Sequence, residues 1–121
     1  VLHDAMMTDG ELNVTDESFF SLNGSKRGFV RNFLKNSYMG CCMAFRRDFE
    51  PAFMPFPKDL AMHDWWIGLN AELKGKVEFI YEPLIKHRCH GGNVTGGKTP
   101  AQKISWRIQM AGDILRYKNA D

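Results

Sequence analysis

Residues 62–93, MHDWWIGLNAELKGKVEFIYEPLIKHRCHGGN, decide how this chain folds. Asp64 stands where a helix should begin, ahead of Trp65, Trp66, Ile67, Leu69, Ala71 and Leu73. Lys74 supplies a basic last turn, and Gly75 a residue able to take the left-handed conformation that closes a helix. Residues 77–81 are rich in β-branched and aromatic side chains and predict a strand. Pro83 punctuates it, and a second apolar run follows at Leu84 and Ile85. If residues 85–90 are extended, alternation sends Arg88 and His90 to one face, and His87 and Cys89 to the other. A carboxylate, a guanidinium and an imidazole then gather near the ends of adjacent elements, which suits chemistry.

Upstream, residues 1–7 predict a strand ended by the Asp9-Gly10 turn signal. Residues 15–22 are ambiguous, and Asn23-Gly24-Ser25 punctuates them. Ser25 can cap a helix carrying Phe29, Val30, Phe33 and Leu34, with Lys26, Arg27, Arg31 and Lys35 opposite. Those four basic residues suit a solvated face; the alternative is attraction to an anionic lipid surface. Residues 38–45 are apolar nearly throughout and predict a buried strand, in which Gly40 allows close approach of backbone or ligand. Arg46 to Phe49 suggests one helical turn, after which Pro51, Pro55 and Pro57 enforce an irregular apolar loop.

Downstream, the glycines at 91, 92, 96 and 97 make a loop, read as a lid or a linker. Thr99-Pro100-Ala101-Gln102 is a capping box opening a helix. Ile104, Ile108, Ala111 and Leu115 form one stripe with Ile114 beside it, predicted to dock on the sheet or on a part of the fold outside this sequence, with Lys103, Arg107 and Arg116 opposite. An interfacial membrane helix is the alternative, since Trp106 and basic residues flank the apolar stripe.

At 121 residues the chain is one domain, 1–121, with 98–121 as its C-terminal amphipathic helix. A 44% hydrophobic and 25% charged composition excludes bulk disorder. Sixteen basic against fourteen acidic side chains is too balanced for a nucleic-acid footprint. Cys41, Cys42 and Cys89 are an odd set with two neighbours, which favours reduced thiols in a cytoplasmic setting. Cys41 and Cys42 read as small buried hydrophobes rather than nucleophiles. Zinc is disfavoured, because adjacent cysteines beside His87, Cys89 and His90 lack ligand spacing. The opening Val1-Leu2-His3-Asp4-Ala5 reads as the middle of a fold, so a fragment is expected.

Several motifs occur in order: Asn36 to Arg46, then His63-Asp64-Trp65-Trp66, then Gly75-Lys76-Val77, then Glu82-Pro83-Leu84-Ile85-Lys86-His87-Arg88-Cys89-His90-Gly91-Gly92-Asn93. As an ordered set they resemble the C-terminal half of family 2 glycosyltransferases, the inverting enzymes with the GT-A fold, particularly rhamnosyltransferase-like members. The resemblance covers most of residues 1–95, with His87 replacing the usual Tyr and His63 standing where relatives often have Glu. It implies an α/β fold: the C-terminal acceptor half of GT-A, a mixed sheet flanked by helices around 26–35, 63–74 and 99–118.

Inverting sugar transfer needs a base for the acceptor hydroxyl. The resemblance assigns that role to Asp64; its residues alone equally suit a helix-dipole partner. Arg88 and His90 would attend the diphosphate and a divalent metal, Mg or Mn. Gly40, His63, Trp65 and Trp66 would line the acceptor site, a tryptophan offering an apolar platform to a sugar face. The donor-side Asp-x-Asp motif is absent from the sequence. The chain would thus be the acceptor half of a transferase taking a nucleotide sugar to a saccharide or lipid-linked acceptor, and inactive alone. The implied setting is cytoplasmic or peripheral at the inner membrane, in bacterial polysaccharide synthesis, with self-association of the fragment. A non-catalytic binding module on the same scaffold is the alternative.

Overall fold

The computed structural model describes residues 1–89 and 99–119. It is an α/β chain with a three-stranded mixed sheet flanked by helices. Strand β1 (Leu2–Thr8) lies in the centre, antiparallel to β2 (Val14–Asp16) and parallel to β3 (Phe79–Arg88). The β1–β2 turn forms because Asp9 Oδ1 accepts from the amides of Glu11 and Asn13, both at 2.9 Å. The β1–β3 register slips on either side of Asp4, opposite Pro83, which has no amide to offer the ladder. Helices α1 (Phe19–Asn23), α2 (Phe29–Leu34), α3 (His63–Lys74) and α4 (Pro100–Asn119) surround this sheet.

Two apolar clusters hold the layers. The first joins Leu2 and Ala5 of β1 to Phe20, Tyr38, Cys42 and Val77. The second joins Trp65, Trp66 and Leu69 of α3 to Phe53 and to Met110 of α4. Asp4 is buried beside the first, where it fastens α1 to the sheet. Its Oδ1 accepts from the amides of Ala5 (2.8 Å) and Phe20 (2.9 Å), and its Oδ2 from the Ser18 hydroxyl. A buried carboxylate is tolerable only with such partners.

Four local expectations are corrected. Residues 38–45 are not a strand: a 3-10 turn occupies Gly40–Cys42, and only an isolated bridge, Leu2 to Met43, reaches β1. Ser25 does not cap α2. It is buried with its hydroxyl accepting from Asn23 Nδ2 at 3.0 Å, and the helix starts after Gly28, whose φ of 116° a side chain resists. Gly75 is extended rather than left-handed; it is needed for space, since a Cβ there would lie 2.9 Å from the Phe49 ring.

The fourth correction concerns α4. Its capping box forms as predicted, with Thr99 and Gln102 exchanging bonds of 3.2 Å. The buried face, however, carries Trp106, Met110, Asp113, Ile114 and Tyr117, and the stripe of Ile104, Ile108 and Leu115 faces outward. Both stripes have helical spacing; the bulkier aromatic one fills the space beside Trp66, against which Tyr117 packs edge-on at 5.0 Å.

Candidate functional site

A cavity of about 630 Å³ opens where α2, the mouth of α3, the end of β3 and the first turns of α4 converge. Asp64 is on its wall. The helix-capping position, Met62, has no polar side chain, so the first-turn carboxylate takes up exposed backbone amides instead. Asp64 Oδ1 accepts from Trp65 N at 2.7 Å, and Oδ2 from Gly40 N at 3.1 Å. Each oxygen retains a lone pair, and the half-buried carboxylate is held in one orientation. Gly40 therefore contributes its amide; a Cβ there would make only ordinary contact with Asp64, at 3.6 Å.

Around the carboxylate the wall is aromatic and cationic. Trp65 lines the cavity and is fixed by its indole N–H, which donates to Asn32 O at 2.8 Å. Trp106 faces the cavity from α4, and Phe33 and Tyr38 complete the aromatic lining. Lys35, Lys103 and Arg107 bring three positive charges to the same cavity. Arg107 is anchored by a 2.5 Å bond from Nη2 to Leu34 O. One carboxylate amid three cations makes a site with net attraction for an anionic group.

The alternation read along β3 is present, but the cavity takes the other face: His87 and Cys89 line it, and Arg88 does not. Register with β1, Met7 to His87 and Thr8 to Arg88, fixes that phase. Arg88 is exposed. His90 lies outside the described residues, as does Asn93. Trp66 is fully buried in the core, its indole N–H donating to Phe53 O at 2.8 Å, and cannot present a face to a ligand. His63 is exposed and meets Phe56 edge-on; it is not part of the cavity lining.

Sequence reading missed His87, Lys35, Lys103, Trp106 and Arg107. The last three carried a signal, since Lys103 and Arg107 are four apart on the first turns of a capped helix with Trp106 beside them. Among the described residues, no group of three His, Cys, Asp or Glu side chains is placed to hold a metal ion. His90, to which the resemblance assigns a metal, is not among them. All three thiols are free. Burial, then the neighbouring Cys41, pushes the Cys42 thiol up to about 12, so it stays protonated in neutral solution. Cys41 is exposed, its sulfur 3.9 Å from His87 Nδ1.

Comparison with protein-family models, with curated proteins and with solved structures gives no match.

Proposed function

We propose that the chain supplies the acceptor half of an inverting glycosyltransferase and that Asp64 is its base. One observation carries this reading: a carboxylate oriented by two backbone amides faces a cavity walled by tryptophans. Aromatic faces suit the apolar side of a sugar ring, and a positioned carboxylate suits removal of a proton from its hydroxyl. In this mechanism the saccharide lies against Trp65 and Trp106 with one hydroxyl at Asp64. That oxygen attacks the anomeric carbon of the activated sugar as its proton passes to the carboxylate, and the nucleoside diphosphate leaves. Lys35, Lys103 and Arg107 are the cations available for anionic charge on either reactant. The donor-binding Asp-x-Asp half is contributed by residues outside this sequence.

A second reading, a saccharide-binding module without chemistry, is favoured by the missing Asp-x-Asp motif. Titration calorimetry tests what the two share. Neutral oligosaccharides are expected to bind the chain, and nucleotide sugars to bind weakly or not at all. Tight nucleotide-sugar binding with no saccharide binding would overturn the acceptor assignment.

A further inference from the structure

The outward face of α4 is apolar where a surface helix should be polar. Ile104, Ile108 and Leu115 are 55%, 68% and 61% exposed, and their spacing puts them in one line along the helix. They lie opposite the face that Met110, Asp113 and Tyr117 bury, so the core makes no use of them. Leu34 of α2, 56% exposed, adjoins the start of this line through the Arg107 bond to its carbonyl.

One side of the line is bordered by cations. Lys103, Arg107 and Lys118 lie along that side of α4; on the other side Arg116 pairs with the buried Asp113 at 3.0 Å, and Asp59 lies beside Gln109. Lys35, next to Leu34, adds a further cation, sharing a cavity wall with Lys103 and Arg107. A long helix with an apolar line flanked by lysine and arginine has the chemistry of a helix lying in the plane of a membrane surface. Among the described residues no helix is long and apolar enough to cross a membrane, so contact would be at the surface.

We propose that α4 docks this chain on an anionic lipid surface, its isoleucines and Leu115 entering the acyl boundary while the flanking cations meet lipid phosphates. Acyl insertion and charge attraction must both contribute. A free phosphate could satisfy only the cations, and a neutral bilayer only the apolar line.

The test is co-sedimentation of the full chain with phosphatidylcholine vesicles, with and without phosphatidylglycerol, over a salt series. Binding is expected only with phosphatidylglycerol and should weaken as salt rises. The double substitution I104S/I108S should lower it about tenfold or more. Lys118→Ala should lower it about fivefold. Circular dichroism should be unchanged in both variants, because these side chains are exposed. Equal binding to neutral vesicles, no vesicle binding, or unchanged binding by I104S/I108S would overturn the proposal. So would a dimer in sedimentation velocity that I104S/I108S abolishes while vesicles leave the chain unbound, because the line would then be an interface between copies.

Discussion

On the proposed reading, Asp64→Asn in the full-length transferase is expected to lower kcat by about 10²- to 10⁴-fold, the usual contribution of a positioned base. The acceptor KM should change little. Asparagine keeps the size of the side chain, and its amide oxygen can still accept from one of the two backbone amides, Trp65 N or Gly40 N. What is lost is the capacity to take a proton. The helix start should lose only about 0.3–1 kcal/mol of charge–dipole stabilisation, so folding is not the explanation of a large effect. Steady-state kinetics together with calorimetric binding separates the cases. A variant that binds saccharide and retains turnover within about tenfold removes Asp64 from the base role.

The second large effect is structural. Gly68→Ala should destabilise the fold by about 2–3 kcal/mol in urea denaturation, although alanine is the better helix former by about 1 kcal/mol. A Cβ at position 68 would lie 2.2 to 2.5 Å from three atoms of the Tyr38 ring. That ring cannot swing aside cheaply. It is buried, and its hydroxyl donates to Glu72 Oε1 at 2.6 Å, the same oxygen that accepts from Gly28 N at 2.8 Å. Displacing Tyr38 therefore disturbs α3, the start of α2 and the cavity wall together. Burial and the Glu72 carboxylate also hold the Tyr38 phenol above its ordinary range, so it is a donor at neutral pH. Tyr38→Leu in the Gly68→Ala background should recover part of the loss, a non-additivity expected of residues in direct contact. A neutral or stabilised Gly68→Ala would show that the α3–Tyr38 packing is looser than described here.

Much of the fold was legible because hydrophobic period and punctuation agreed. Strand β1, the Asp9 turn, α3 with Asp64 in its first turn, and the Thr99 capping box all follow from local chemistry. Residues 38–45 misled because an unbroken apolar run is compatible with a strand or with any buried segment. Gly40 and the tight turn around it decided against a strand. On α4 two apolar lines compete, and periodicity alone does not say which one the core selects. The phase of β3 is likewise a tertiary fact. Alternation pairs His87 with Cys89, but only the register with β1 decides which pair faces Asp64. The cations at the cavity were legible as residues but not as neighbours, since Lys35 and Lys103 come together through the packing of α2 and α4.

The central claim is that a saccharide lies against Trp65 and Trp106 beside Asp64. Intermolecular nuclear Overhauser effects between an unlabelled oligosaccharide and the isotope-labelled chain test it directly. Contacts are expected from sugar protons to the indole of Trp106 and to the side chains of Met62 and Trp65, with none to the core indole of Trp66. Contacts confined to the separate cavity near Phe45, Phe49 and Ile67, or none from any saccharide, would contradict it.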